Sequence, residues 1–299
     1  MKLLLLSALL AITSSVSYAQ ATDVQTARGV VSITKKPERV AVFDMAALDT
    51  LASIGVKPAG VPEKLYLETL EPLKRGAEIV GNIFEPDLEA LSSLDPDLII
   101  LGGRSSTKVD QTAAIAPTID MTMLGDDLVA QAKERLATYG ALFEKQNEAQ
   151  KVSADLDERV RAAEQAVKGK GKALIVMTNG PKVTAYGPGS RFGWVHATLN
   201  LEAAVPDIKA ANHGEAVSFE FINKANPDWL LVLDRASAIG SGEQGAKTTL
   251  DNELVAQTTA WKKGQVIYLP APEFYIAAGG VQSTGKVLQV ITDAFNAAK

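Results

Sequence analysis

The sequence contains no cysteine, which excludes disulfides and thiolate-ligated metal sites among its 299 residues. It also lacks the cysteine that an N-terminal lipid anchor requires, so we expect a protein that is not lipid-anchored. Only two histidines are present, and a metal site with three imidazole ligands is therefore impossible. Lysine and arginine number 30 against 35 acidic residues, and the resulting net charge of −5 argues against nucleic acid as a partner.

Long hydrophobic runs are also scarce. The apolar segment Leu3–Ile12 follows Lys2 and precedes small residues that end at Ala19. This segment is too short to span a membrane, and no later segment reaches ~20 apolar residues. The pattern predicts a signal peptide over residues 1–19, and we expect a freely diffusing periplasmic protein after cleavage. The alternative is that the segment is retained as an N-terminal anchor.

A 17-residue segment occurs twice without a gap, at Leu88–Arg104 (LEALSSLDPDLIILGGR) and at Phe219–Arg235 (FEFINKANPDWLLVLDR). Each copy has Glu second, Pro-Asp at its centre, an apolar run and a terminal Arg. The pattern predicts a helix, a tight turn and a buried parallel strand. Open α/β sheets bind ligands beyond the carboxyl ends of their strands. We therefore expect two similar lobes that direct Arg104 and Arg235 into a shared cleft.

A long amphipathic segment, Lys145–Val167, lies midway between the two copies. Its apolar residues recur at spacings of three and four, which predicts one helix roughly 35 Å long. The pattern alone would also suit an ordinary surface helix, but the central position favours a connector. The predicted fold class is α/β, with two Rossmann-like lobes at residues 20–144 and 169–299 joined by a single long helix at residues 145–168.

A third arginine is a candidate for the same cleft. Arg191 follows a Gly-Pro-Gly-Ser turn at the start of a predicted helix, where backbone N–H groups favour anions. Guanidinium groups make multidentate contacts with oxyanions. Each arginine could be a surface residue, but the repeat makes Arg104 and Arg235 equivalent. We predict that the three bind an anion together.

Two further residues suit a hard metal ion. His213 lies in a polar loop before the second repeat copy, and Tyr275 follows the last predicted strand. Imidazole and phenolate are good donors for Fe(III), which would lower the proton affinity of the phenol on binding. His213 could instead be an ordinary exposed residue. His196 falls inside a predicted helix and is expected to be structural.

The repeat also pairs two acids, Glu89 and Glu220, early in their predicted helices. Placement near the positive end of a helix dipole is one explanation for both. The other is docking, with one carboxylate per lobe meeting two copies of a partner subunit.

Motifs for catalysis are missing or incomplete. Gly280–Lys286 fits the first seven positions of a phosphate-binding P-loop, but Val287 replaces the hydroxyl residue that would bind magnesium. There is no G-x-S-x-G motif and no obvious acid–base pair. We therefore predict a protein that is not an enzyme.

Five segments together resemble the periplasmic substrate-binding proteins of ABC-type iron–siderophore importers, and most of all the catecholate-binding branch. They are KKPERVAVFD, DLEALSSLDPDLIILGGR, YGPGSRFGWVHATLNL, HGEAVSFEFINKANPDWLLVLDR and PEFYIAAGG. The resemblance covers nearly all of the predicted mature chain. It implies two lobes, one connecting helix and limited hinge motion.

The resemblance also implies roles for the candidate residues. Arg104, Arg191 and Arg235 would contact the catecholate oxygens, and His213 and Tyr275 would complete the coordination of iron. A tetradentate bis-catecholate leaves two positions on Fe(III) open for these two donors and is the favoured ligand. A hexadentate tris-catecholate is more anionic, leaves no open position and would depend on the arginines.

The implied partner is an inner-membrane ABC permease dimer, whose docking acids on the binding protein match Glu89 and Glu220. The implied cargo is a ferric catecholate siderophore such as ferric enterobactin, with no permanent cofactor, carried by a monomer. Alternatives are a protein of the same fold for haem, cobalamin or a hydroxamate siderophore, an enzyme on a two-lobed scaffold, and a structural or adhesive protein.

Overall fold

The computed structural model describes residues 21–125, 127–209 and 213–298, so the predicted signal peptide lies outside the described residues. The helices and strands before residue 145 are β1 (Thr22–Thr26), β2 (Gly29–Ile33), β3 (Val40–Val42), α1 (Met45–Ser53), β4 (Gly60–Val61), β5 (Glu78–Ile79), α2 (Leu88–Leu94), β6 (Leu98–Leu101), α3 (Val109–Thr112), β7 (Thr118–Asp120) and α4 (Leu128–Leu142). Short 3-10 helices occur at Glu71–Lys74 and Ser106–Lys108.

The N-terminal lobe is built on a five-stranded parallel sheet in the order β5-β4-β3-β6-β7, beside the antiparallel hairpin β1–β2. Every residue of β3 and β6 is buried, as expected of parallel strands covered on both faces. Asp44 caps α1 and Asp87 caps α2 by accepting hydrogen bonds from backbone N–H groups of the first turn. Strand β3 is followed after two residues by α1, and this edge of the sheet forms one wall of the cleft.

The connecting helix and the C-terminal lobe follow. Their elements are α5 (Gln146–Val167), β8 (Ala173–Asn179), β9 (Lys182–Tyr186), α6 (Trp194–Leu199), β10 (Glu215–Val217), α7 (Phe219–Ala225), β11 (Trp229–Asp234), α8 (Arg235–Ile239), α9 (Ala246–Leu250), α10 (Glu253–Ala256), α11 (Thr259–Lys262), β12 (Val266–Tyr268), α12 (Ala271–Tyr275) and α13 (Val281–Ala297). The long connector and the two-lobed α/β class are as predicted.

The C-terminal sheet is mixed rather than a simple βαβα unit. Its order is β10-β9-β8-β11-β12, in which β8, β11 and β12 are parallel while β9 and β10 run antiparallel to their neighbours. The sequence predicts the order βαβα in this half as well, and that prediction was wrong because Gly180-Pro181 forms a hairpin turn between β8 and β9, with a φ of 56° at Gly180.

The repeated segment folds the same way in both lobes. Helices α2 and α7 each end in a residue of left-handed conformation, Asp95 and Asn226, directly before the proline. The strands β6 and β11 follow and run into the two equivalent arginines. The prediction of helix, turn and buried parallel strand is confirmed in both copies.

Gly140 predicts a break in the helix that precedes it, and this prediction was wrong. Helix α4 continues through Gly140 to Leu142. A Cβ at Gly140 would lie 2.8 Å from the Cβ of Ala149 on α5, so the glycine permits close contact between the two helices.

The two lobes are tied together behind the cleft by α13. Asp49, on α1, accepts hydrogen bonds from the N–H groups of Gln282 (2.8 Å) and Ser283 (3.2 Å) at the start of α13. The segment that resembles a P-loop is thus a helix start occupied by a carboxylate, and Lys286 pairs with Glu273. Within the described ranges, no helix is long and apolar enough to cross a membrane.

Candidate functional site

A cleft of about 810 Å³ lies between the two lobes, at the edge where the strands of both sheets end. The structure brings all five predicted ligand-site residues to this cleft: Arg104, Arg191, His213, Arg235 and Tyr275. Arg104 lies in the turn after β6, and Arg235 is the first residue of α8, directly after β11. The repeat therefore places its two arginines on opposite lobes of one cleft.

Arg191 lies in a turn three residues before α6, not at the start of a helix as predicted. The turn closes on itself, since a Cβ at Gly193 would lie 2.4 Å from the carbonyl oxygen of Gly187. Helix α6 is only six residues long, and the backbone at Arg191 is not its first turn. Arg191 thus contributes its guanidinium and not a helix N-terminus.

Tyr275 is the centre on which the three arginines converge. Its carbonyl oxygen accepts hydrogen bonds from Nη2 of Arg104 (3.0 Å) and Nη2 of Arg191 (2.9 Å). Its hydroxyl oxygen accepts a hydrogen bond from Nε of Arg235 at 3.4 Å, and Nη1 of Arg235 donates to Oδ1 of Asn179 at 2.9 Å. Residues that are 40 to 171 positions from Tyr275 in sequence thus meet at one residue.

The ring of Tyr275 also faces two of the guanidinium groups. The Cζ atoms of Arg104 and Arg191 lie 5.3 Å and 4.8 Å from its centroid, within the range of cation–π contacts. Phe192 and Phe274 stack behind it with their centroids 4.8 Å apart. This aromatic cluster holds Tyr275, and with it the contacts that Tyr275 makes with the arginines, on the C-terminal side of the cleft.

The electrostatics of the site depend on unpaired positive charge. None of Arg104, Arg191 and Arg235 forms an ion pair with a carboxylate in the part of the chain that the structure describes. Burial, followed by the nearby charge of Arg104, lowers the pKa of Arg191. Both effects disfavour an isolated cation, and both would be relieved by an anionic ligand.

The same charges act on the phenol of Tyr275. Burial raises its pKa, but the hydrogen bond from Arg235 and the charges of Arg191, Arg235 and Arg104 together outweigh burial, so the pKa is lowered overall. A phenol with a lowered pKa loses its proton more readily when it binds a metal ion. Tyr275 is therefore suited to coordinate a hard cation as phenolate.

His213 lies on the exposed loop before β10 and lines the same cleft. The loop returns tightly at Gly214, where φ is 69° and a Cβ would lie 2.8 Å from the carbonyl oxygen of Ala185. His213 and Tyr275, the predicted imidazole and phenol donors for a metal ion, thus line the same cleft.

The remaining predicted residues lie elsewhere. His196 is buried in α6, with Nδ1 2.9 Å from the carbonyl oxygen of Leu201, and burial lowers its pKa. Glu89 and Glu220 are exposed in the first turns of α2 and α7, outside the cleft. A hydrogen bond from Ser218 lowers the pKa of Glu220.

The sequence analysis missed the N-terminal wall of the cleft. Asp44, Arg135 and Tyr139 line it, together with the exposed side chains of Phe84 and Leu124, which retain 52% and 64% of their accessible surface. The only available signal was the spacing of four between Arg135 and Tyr139, which places them on one face of α4. Nothing local to the sequence shows that this face meets the cleft.

A hydrogen bond from Lys64 to Ile239 also joins the two lobes. Nζ of Lys64 donates to the carbonyl oxygen of Ile239 at 2.7 Å, and lies 4.7 Å above the ring of Tyr66. Ile239 ends the helix whose first residue is Arg235. Lys64 therefore connects the N-terminal wall to the helix that presents one of the site arginines.

Comparison with known proteins places this arrangement in a family. The sequence profile described as periplasmic binding protein matches residues 40–273. The petrobactin-binding protein YclQ of Bacillus subtilis is 34% identical over 265 residues, which are 87% of this chain and 83% of YclQ. The crystal structure of YclQ matches with a TM-score of 0.85, over 92% of this chain and 99% of that one.

Two other relatives match over a similar share of the chain. The ferric-anguibactin-binding protein FatB of Vibrio anguillarum is 32% identical over 272 residues, 89% of this chain and 83% of FatB. The periplasmic catecholate-siderophore binding protein VctP from Vibrio cholerae matches with a TM-score of 0.83 and 30% identity, over 92% of this chain and 100% of VctP. All three are binding proteins, in agreement with the prediction of a non-enzymatic role. The profile match and the shared two-lobed fold show that the chain belongs to the periplasmic binding protein family.

Proposed function

We propose that this protein binds a ferric catecholate siderophore in the periplasm and delivers it to an ABC permease dimer in the inner membrane. The observation that supports this most strongly is the convergence of three arginines on Tyr275, with His213 lining the same cleft. The relatives bind petrobactin, ferric anguibactin and a catecholate siderophore, which agrees with this class of ligand.

The chemistry of the cleft favours an anionic chelate. Catecholate oxygens are negatively charged, and guanidinium groups form strong charge-assisted hydrogen bonds with such oxygens. The cleft is too polar on its C-terminal side to suit an apolar ligand, because three cations converge there. Haem, cobalamin and hydroxamate chelates are the alternatives, and they carry less negative charge on their donor groups.

Two donors in the cleft favour a tetradentate bis-catecholate. Such a chelate leaves two positions on Fe(III) open, and we assign them to the imidazole of His213 and the phenolate of Tyr275. The lowered pKa of Tyr275 supports the second assignment. A tris-catecholate would fill all positions itself, and these two residues would then contribute little to its binding.

The proposed delivery step uses Glu89 and Glu220. Both are exposed, each lies in the first turn of a repeat helix, and neither belongs to the cleft. We propose that each lobe offers one of these carboxylates to one permease subunit. The proposal also includes cleavage of residues 1–19, lobes at 20–144 and 169–299, the connector at 145–168, and a soluble monomer without a lipid anchor.

Competitive titration tests the class of ligand. Purified mature protein is titrated with a Fe(III) bis-catecholate, a Fe(III) tris-catecholate, a ferric hydroxamate, cobalamin and haem, while intrinsic fluorescence is followed. The proposal predicts that the bis-catecholate binds most tightly. Tightest binding of haem, cobalamin or the hydroxamate would reject the catecholate assignment, and tightest binding of the tris-catecholate would reject the assigned denticity.

A further inference from the structure

A second polar cluster lies in the cleft, on the N-terminal wall. Asp44 precedes α1, and Arg135 and Tyr139 lie one turn apart on α4. All three line the cleft, whereas Arg191, Arg235 and Tyr275 belong to the opposite lobe. Among the residues assigned to the chelate, only Arg104 belongs to this lobe, and Asp44, Arg135 and Tyr139 have no role in that site.

Tyr139 carries a buried hydroxyl without a partner. Its side chain is 0% exposed, and its Oη has no hydrogen-bond partner among the described residues. Such a group lowers the stability of the protein in the absence of a ligand, because its hydrogen bond to water is lost on folding and not replaced. Burial raises the pKa of this phenol, the charge of Asp44 raises it further, and Arg135 lowers it by less. Tyr139 thus remains protonated at neutral pH and can donate a hydrogen bond.

Arg135 has spare donor capacity. Its Nε donates to the carbonyl oxygen of Met121 at 2.8 Å and its Nη2 donates to that of Thr122 at 2.5 Å. These bonds fix the plane of the guanidinium. In the described ranges, Nη1 makes no hydrogen bond, so it is available to a ligand in the cleft.

Asp44 supplies an acceptor. Its Oδ1 accepts hydrogen bonds from the N–H groups of Ala46 (2.6 Å) and Ala47 (3.1 Å), while Oδ2 accepts none from the residues that the structure describes. Oδ2 lies against Gly102, where a Cβ would be only 1.9 Å away. The carboxylate is therefore held between the first turn of α1 and the backbone of Gly102.

Asp44 and Arg135 carry opposite formal charges, so within this cluster the two charges offset each other. A second anion would be repelled by Asp44, and a cation would be repelled by Arg135. A neutral group that both accepts and donates satisfies all three residues. A secondary amide has this chemistry, because its carbonyl can accept from Tyr139 or Arg135 while its N–H donates to Asp44.

We propose that Asp44, Arg135 and Tyr139 bind a secondary amide in the scaffold that joins the two catechol rings of the ligand. This proposal rests on the proposed function and adds a separate subsite for the part of the ligand that does not touch iron. A cleft of about 810 Å³ has room for such a scaffold beside the chelate.

Two synthetic probes test the subsite. One is the Fe(III) complex of a bis-catechol whose rings are joined through two amide groups and an alkyl chain. The other is the Fe(III) complex of an analogue with an all-hydrocarbon chain of equal length. We expect wild type to prefer the amide-linked complex by about five- to tenfold, in line with one or two net hydrogen bonds.

The variants Tyr139→Phe and Arg135→Gln should each reduce this preference toward one. Tyr139→Phe should also raise the melting temperature of the unliganded protein, because it removes the unpaired hydroxyl. Tyr268→Phe is the matched control, since Tyr268 is half-buried and does not line the cleft. It should leave the preference as in wild type.

The outcomes separate this proposal from the function on which it rests. If wild type binds both complexes equally, or if Tyr139→Phe and Arg135→Gln keep the full preference, the amide subsite is rejected and the chelate site stands. If wild type binds neither complex, the proposed function fails and the subsite fails with it.

Discussion

Replacing Arg191 distinguishes its effect on the stability of the unliganded protein from its effect on ligand affinity. Its guanidinium is largely enclosed, donates to the carbonyl of Tyr275 at 2.9 Å and feels the charge of Arg104. Arg191→Gln removes this charge from the unliganded cleft, where it is unfavourable. In the complex the same change removes a charge-assisted hydrogen bond of about 1.5–3 kcal/mol, which corresponds to an about 10- to 150-fold rise in Kd.

The assay is fluorescence titration with a Fe(III) bis-catecholate, combined with thermal unfolding of the unliganded protein. We expect weaker binding together with a melting temperature that is unchanged or higher by about 2–4 °C. Arg161→Gln, at an exposed position on α5, is the control and should change neither quantity. An unchanged Kd with a lower melting temperature would refute the reasoning, because Arg191 would then be a structural residue.

Three further predictions concern other parts of the molecule. Burial raises the pKa of Asp49 to about 6, so its ionisation disfavours the folded state as pH rises from about 4 to 7. Unfolding measured at several pH values should show the stability of Asp49→Asn rising relative to wild type by up to about 3 kcal/mol over that window, and the absence of such a rise would contradict the burial argument. Lys64→Ala removes the hydrogen bond to Ile239 that restrains the lobes, so stopped-flow measurement should show the ligand released about two- to fivefold faster. An unchanged release rate would mean that the bond does not restrain the lobes. Glu89→Ala and Glu220→Ala should leave ligand affinity intact and reduce uptake of radioactive iron by cells, and a loss of ligand affinity would reject the docking role.

The parts of the fold that the sequence predicts are those with strong local signals. The turn before Pro96 and before Pro227, the apolar runs after them and the spacing in Gln146–Val167 each determine one element. The two equivalent arginines followed from the repeat, since equal units end at equal edges of their sheets. The hairpin at Gly180 also has a local signal in its glycine and proline, although it was not among the predicted elements.

The rest depends on contacts between distant segments. Gly140 interrupts no helix because its environment is set by Ala149 on the next helix. Tyr139 looks in the sequence like any aromatic core residue, and only the packing of α4 shows that its hydroxyl lies at the cleft without a partner among the described residues. The second polar cluster therefore could not be predicted from local pattern.

The central claim is that His213 and Tyr275 coordinate the iron of a bis-catecholate directly. Visible circular dichroism of the Fe(III) bis-catecholate complex tests it most directly, with wild type compared with His213→Ala, Tyr275→Phe and the control Tyr268→Phe. The account predicts an induced visible signal that both cleft variants alter and the control does not. Tight binding with the same spectrum in all four proteins would contradict it.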